Sequence, residues 1–231
     1  MAKDFISATK DWKLLVAADI VVFTFHDDEL KVLLVKRKFA PGAGKWAIPG
    51  GFVREKESLE AAALRELKEE TGLEKEGYLE QLYTFGEVDR DPRARVVSVS
   101  YLVLVNDAEK IKLKANDDAA DAAWFSVKKI PELSFGQSHK DILLYALKRL
   151  RWKFEYTNVA LSLLPDHFTL SDLQKLYETM YNEKIDKRNF RKKIFALDLV
   201  EPLDKLRQEA GRPALLYKAR SKKLKLFARI F

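Results

Sequence analysis

The chain has 231 residues, 47% of them hydrophobic, which suits one large domain or two modest ones with a packed core. It contains no cysteine, which excludes disulfides and thiolate metal sites and fits a reducing compartment. The net charge of +7 is uneven: residues 151–231 carry 18 Lys and Arg against 10 Asp and Glu, and the first 150 residues 24 against 25. A basic C-terminal part behind a near-neutral one points to two units, the second with a polyanionic partner.

The opening MAKDFISATKDWKLL lacks the apolar core and cleavage site of a signal peptide. No apolar run approaches the ~20 residues that a membrane helix needs, so a soluble, cytoplasmic protein without membrane contact is expected. Residues 17–25 (AADIVVFTF) and 31–36 (KVLLVK) are β-branched and apolar and read as a hairpin around His26-Asp27-Asp28-Glu29. A loop at Pro41 to Gly44 leads to a short strand over 46–51 that ends in a glycine turn. Strands are expected at 78–87, 96–105 and 122–125, a surface turn at 128–133, and a helix from His139 to Trp152. Strands followed by helices on a mixed sheet give an α/β (α+β) sandwich.

Residues 151–156 (RWKFEY) read as a linker or as the first contact of a second unit. Residues 158–164 form one or two helical turns stopped by Pro165. Thr169 or Ser171 can then cap a helix with Leu173, Leu176, Tyr177 and Met180 on one face. After a polar turn at 182–184, a second helix over 187–197 (KRNFRKKIFAL) is basic and amphipathic, the pattern of a helix-turn-helix. Residues 199–203 and 214–219 suit the strands of a wing with Gly211-Arg212-Pro213 at its tip, and the basic end, 222–229, is expected to fray.

The most specific stretch is residues 51–73, GFVREKESLEAAALRELKEETGL. Residues 58–71 are rich in strong helix formers, with Ser58 suited to the N-cap and Gly72 to the position after the C-cap. On that helix Glu66, Glu69 and Glu70 share a face, and Arg65 supplies a cation among them. Oxygen donors so clustered suit a hard divalent cation. The spacing G-x(5)-E-x(7)-R-E-U-x-E-E-x-G-U, with U aliphatic, resembles the Nudix box at every constrained position. The order of LLPDHFTLSDLQKLYE, DKRNFRKKI and GRPALLY behind it resembles the Nudix-related transcriptional regulators of bacteria, the NrtR family.

The resemblance implies a Nudix α/β/α sandwich over residues 12–152 followed by a small winged helix-turn-helix domain over 157–231. It implies Mg²⁺ or Mn²⁺ held by Glu66, Glu69 and Glu70, with Arg65 orienting a carboxylate and Glu57 supporting the loop-helix junction or a second metal. The Gly50-Gly51 backbone lets metal and phosphate approach closely. Arg37, Arg90 and Arg93 suit phosphate oxygens, with an ordinary surface cation as the competing role of each. Trp46, Phe52 and Phe85 suit stacking on adenine, with core packing as the competing role. The loop Asp89-Arg90-Asp91-Pro92-Arg93 resembles one in ADP-ribose-binding Nudix proteins, so ADP-ribose or a related nucleoside diphosphate sugar is the preferred ligand. Asp117 and Asp118 are weak candidates for a general base. Members of the family bind operators as dimers, so double-stranded DNA and a homodimer are the expected partners. Arg188, Asn189, Arg191 and Lys192 suit the major groove, Lys187 and Lys193 phosphate contacts, and Arg212 a minor groove. The box is intact where many regulators have a degraded one, so a pyrophosphatase, alone or combined with regulation, stands beside the regulator.

Overall fold

The computed structural model describes residues 13–73, 77–106, 113, 119–136, 138–208 and 213–228. The hairpin forms as β1 (Leu14–His26) and β2 (Glu29–Arg37). Asp27 and Asp28 take φ of 54° and 57°, the left-handed pair that a two-residue turn needs to match the strand twist. With β3 (Trp46–Ala47), β4 (Gly50–Phe52), β5 (Tyr78–Phe85), β6 (Arg95–Val105) and β7 (Ala119–Ser126) they build one mixed sheet. Its order is β3-β2-β1-β6-β5, with β4 also on β1 and β7 on β2. The stretch expected as one strand over 46–51 is therefore two, divided at Ile48-Pro49, whose Pro49 carbonyl still accepts from the Ile20 N–H.

Both faces of the sheet are covered, which is why β1 and β6 read as continuous apolar runs rather than alternating ones. Ala18, Ile20 and Val22 pack with Val99, Tyr101 and Val103 against α1 (Leu59–Thr71), through Ala62, Ala63 and Leu67. On the other face Val21, Phe23, Leu102 and Leu104 meet α2 (His139–Tyr156), through Ile142, Leu143, Ala146 and Leu150. The ends of α1 follow local chemistry. The Ser58 hydroxyl accepts from the Ala61 N–H, and Gly72 takes φ 74° beyond the last turn. The expected surface turn at 128–133 is a 3₁₀ helix (Val127–Glu132) anchored by buried Ile130.

Of the two roles open to residues 151–156, the structure shows the first contact of a second unit and not a linker: they are the last turns of α2. Phe154 is fully buried there, its ring 5.1 Å from that of Tyr177. A 3₁₀ helix (Val159–Leu163) then leads to β8 (Phe168–Thr169), α3 (Leu170–Tyr181) and α4 (Lys187–Ala196). Thr169 caps α3 in a reciprocal box with Asp172. Strands β9 (Val200–Arg207) and β10 (Ala214–Ala219) form the wing, and β8 adds a third strand that the sequence did not announce. Leu173, Leu176, Tyr177, Phe190 and Ile194 join the same continuous core as the sheet and α2. The hairpin turn touches α3 directly: Lys175 Nζ lies 2.7 Å from Asp28 Oδ2, and the Thr179 hydroxyl donates to the Asp28 carbonyl.

The basic end does not fray over its described part. The Asn158 side chain donates to the Lys223 carbonyl and accepts from the Lys225 N–H, and the Phe227 N–H donates to Tyr156. This strap crosses the point where α2 ends. Among the described residues no helix is long and apolar enough to cross a membrane.

Candidate functional site

A cavity of about 520 Å³ opens beside the N-terminal half of β1, between β4, α1 and the loop after β5. Two glycines make it possible. A side chain at Gly50, where φ is 156°, would run into Asp19 and the Ala18 carbonyl, and one at Gly51 would occupy the place of the Glu66 carboxylate. The bare backbone lets the Gly50 N–H donate to Glu70 Oε2 at 2.9 Å.

Arg65 organises the box. Its Nε donates to Glu57 Oε2 at 2.9 Å and its Nη2 to Glu57 Oε1 at 2.7 Å. Its Nη1 donates to Glu66 Oε1 at 2.6 Å and to Glu69 Oε2 at 3.0 Å. This pairing, together with the Arg54 N–H bond, holds the Glu57 carboxyl down at about 2, and Glu57 in turn raises the Arg65 guanidinium. Glu57 thus joins the loop to the helix. Glu69 faces Arg65 and Arg54 and does not line the cavity. Glu66 and Glu70 do line it. Burial raises the Glu66 carboxyl despite Arg65. Burial pushes the Glu70 carboxyl up to about 8 against the Gly50 bond, aided by the charges of Glu66 and Asp19.

The floor holds residues that the sequence reading passed over. Asp19, 4% exposed in the middle of β1, accepts from the Ser98 hydroxyl, and Ser98 and Ser100 share a 3.3 Å contact. Arg90 Nη2 stands 3.6 Å from Asp19 Oδ2, with 6% of its side chain exposed. His139, the first residue of α2, is buried against the same cavity. Burial lowers its imidazole pKa, and among the described residues its Nδ1 has no hydrogen-bond partner. One signal in the sequence could have found Asp19: a carboxylate inside an apolar strand requires a partner.

Arg37, Arg90, Arg93, Gly50, Gly51 and Phe52 all line the cavity. Arg37 Nε donates to the Pro41 carbonyl, and Arg93 pairs bidentately with Asp91 while lying over the Phe52 ring. Trp46 and Phe85 are elsewhere. Trp46 packs edge-on against Phe125 on the outer strand, so it is placed as core and not as a cavity wall. Phe85 is buried among Tyr83 and Tyr145 and borders a neighbouring cleft. Asp117 and Asp118 lie outside the described residues, as do Gly211 and Arg212 of the wing tip.

On the far unit, Phe190 and Ile194 bury one side of α4, and Asp186 caps it by accepting from the Asn189 N–H. Lys187, Arg188, Asn189, Arg191, Lys192 and Lys193 are exposed on the rest of its surface. Among the described residues no acid pairs with Lys187, Arg188, Arg191 or Lys192.

Residues 13–146 match the NUDIX domain family and residues 160–219 the NrtR DNA-binding winged helix domain. An ADPR-responsive transcriptional repressor, NtrR, from Acinetobacter baylyi is 34% identical over 206 residues, 88% of this chain and 81% of that protein. The chain belongs to the NrtR family. Shewanella oneidensis NrtR, solved in complex with a 27mer DNA, superposes with a TM-score of 0.78 at 34% identity over 89% of this chain and 93% of that one. The NUDIX domain of the same Shewanella protein, solved with ADP ribose, superposes with a TM-score of 0.57 at 34% identity, covering 65% of this chain and 99% of that one.

Nudix hydrolases related to this NrtR-family chain generally use a divalent metal. The residues present fit one. Glu66 and Glu70 are neighbouring oxygen donors in a shielded cavity, and burial raises both carboxyls, so a cation set between them would favour their ionised forms. Among the described residues no three acidic or histidine side chains converge into a finished cage. Two carboxylates completed by water and ligand phosphates is the common arrangement for a small hard cation.

Proposed function

We propose that the chain is a homodimeric transcriptional repressor that binds a palindromic operator through α4 and releases it when ADP-ribose, or a closely related nucleoside diphosphate sugar, enters the Nudix cavity. The Nudix unit spans residues 12–152 and the DNA-binding unit 157–231, and the protein works in the cytoplasm. The observation that carries this reading is the exposed cation face of α4, where Lys187, Arg188, Arg191 and Lys192 meet no acid among the described residues, behind a cavity ringed by Arg37, Lys38, Arg54, Arg90 and Arg93. On α4, Arg188, Asn189, Arg191 and Lys192 read base edges, and Lys187 and Lys193 meet phosphates. Arg212 at the wing tip enters a minor groove. In the cavity, the Arg37, Arg90 and Arg93 guanidinium groups face the diphosphate, and Phe52 supports the base. Mg²⁺ or Mn²⁺ is held by Glu66 and Glu70, with Glu69 joining if it leaves Arg65 and Arg54. The metal, when bound, screens the phosphate charge. Gel-shift titration of an operator from the chain's own promoter tests the reading. Salt-sensitive binding that ADP-ribose weakens is the expected result, and binding indifferent to ADP-ribose refutes it.

A second activity, hydrolysis of the same ligand, is favoured by the complete carboxylate set that Arg65 arranges. Divalent-metal-dependent release of AMP from ADP-ribose, lost in Glu70→Gln, would establish it. No AMP over long incubation with the metal would leave a sensor alone.

A further inference from the structure

Helix α4 carries a feature that its cations do not account for. With about 3.6 residues to a turn, Arg188, Lys192, Phe195 and Ala196 share the face opposite its buried side chains, Phe190 and Ile194. All four are exposed, and Phe195 keeps 50% of its surface open to water. The outward face is divided along its length. Its exposed side chains from Lys187 to Lys193 are cations and one amide, whereas its last turn presents an apolar pair, Phe195 and Ala196.

The pair is held in place. The Phe195 ring lies 6.1 Å from that of Tyr217, inclined at 46°. Tyr217 sits in β10 between Phe168 of β8 and Pro202 of β9, so the sheet of the wing backs the ring. Just beyond, Asp198 turns the chain at φ 52°, and its N–H donates to the Phe195 carbonyl at 3.1 Å, which closes the last turn. A side chain ordered in the free protein loses less on binding than one that must be ordered by its partner.

A lone apolar residue on a surface is ordinary, so position decides what this pair means. It stands on the face proposed to meet DNA. Two side chains offer far less area than a protein partner needs, ~1,000 Å² or more. The major groove asks for less: its base edges display donors, acceptors and one apolar group, the C5-methyl of thymine. We propose that Phe195, with Ala196 beside it, reads thymine in the operator through that methyl group. The inference rests on α4 being the helix that reads DNA and deepens it. Phe195 becomes a specificity-determining residue, and the last turn of α4 a second reading element behind the cationic one.

Fluorescence anisotropy with an operator from the chain's own promoter tests this. Each thymine is replaced in turn by deoxyuridine, which keeps base pairing and removes only the methyl group. At one or more positions the wild-type chain should lose about fourfold in affinity, the worth of one methyl group buried against a ring. Phe195→Ala should bind the thymine operator more weakly by at least that factor and should no longer distinguish deoxyuridine at those positions. Phe195→Gln carries the same test if the alanine variant does not fold. Affinity indifferent to deoxyuridine at every position, or a thymine preference that survives in Phe195→Ala, overturns the inference. Arg191→Ala separates this failure from that of the wider reading. If that variant binds the operator as the wild type does, the assignment of α4 fails too; if it binds weakly while deoxyuridine has no effect, only the role of Phe195 fails.

Discussion

Helices α1 and α4 are both short, capped by an oxygen side chain and dense in charge, yet they manage that charge in opposite ways. On α1 a single arginine gathers three glutamates into a network with little exposure at Arg65, Glu57 and Glu66. On α4, Lys187, Arg188, Arg191 and Lys192 are exposed with no acid paired to them among the described residues, and Phe190 and Ile194 are its buried side chains. The first arrangement commits charge to architecture and leaves two carboxylates facing a cavity. The second leaves Lys187, Arg188, Arg191 and Lys192 exposed and available to a partner. Buried charge needs its counter-charge to remain folded, whereas exposed charge can be removed with little structural effect.

That contrast can be broken in several ways. Arg65→Ala should have the largest effect, since it strands Glu57, Glu66 and Glu69 together. A loss of about 3 kcal/mol in urea unfolding is expected, and a loss under 1 kcal/mol would mean that the network is ornamental. Arg191→Ala should leave unfolding within about 0.5 kcal/mol of wild type but weaken operator binding by about 2 kcal/mol, roughly 30-fold. Fluorescence anisotropy with labelled operator measures it, and ADP-ribose affinity should not move. Asp186→Ala removes the cap of α4 and should cost about 1 kcal/mol of stability, with far-UV dichroism reporting the frayed turn.

The smallest effect concerns pH. The Glu70 carboxyl is held near 8 in the folded chain by burial, against an ordinary value of 4.5. Between those values the folded state keeps a proton that the unfolded state has released. Its stabilising contribution is therefore complete below about 4.5 and lost as pH rises through 8. Melting temperatures recorded in chelator from pH 5 to 9 should decline, and Glu70→Gln should flatten the decline. Glu57, held at about 2, titrates outside that window. An identical slope in the Gln variant would place the titrating group elsewhere.

Much of this was legible in the sequence because it depends on near neighbours. The α1 caps at Ser58 and Gly72, the Asp27-Asp28 turn and the amphipathic α4 follow from spacing over a few residues. The features that were missed depend on distant ones. Asp19 becomes meaningful only when Ser98 and Arg90 arrive from another strand and its loop. Trp46 stays open between core and stacking platform until Phe125 is set against it. Residues 151–156 stay open between linker and first contact of a second unit, because their aromatic and charged mixture has no single apolar face until Tyr177 comes to cover Phe154. The tail looked free because nothing local shows that Asn158 will hold it.

The strap from Lys223 to Phe227 has a consequence for how the molecule is made. Translation delivers the sheet, α1 and α2 first, with the apolar side of Phe154 still open to water. The winged unit that covers it follows, and the strap bonded to Tyr156 and Asn158 emerges 65 residues or more after Asn158. The junction between the two halves therefore closes only after the strap has been made, and a nascent chain that stalls before it carries its sensor with the seam unsewn.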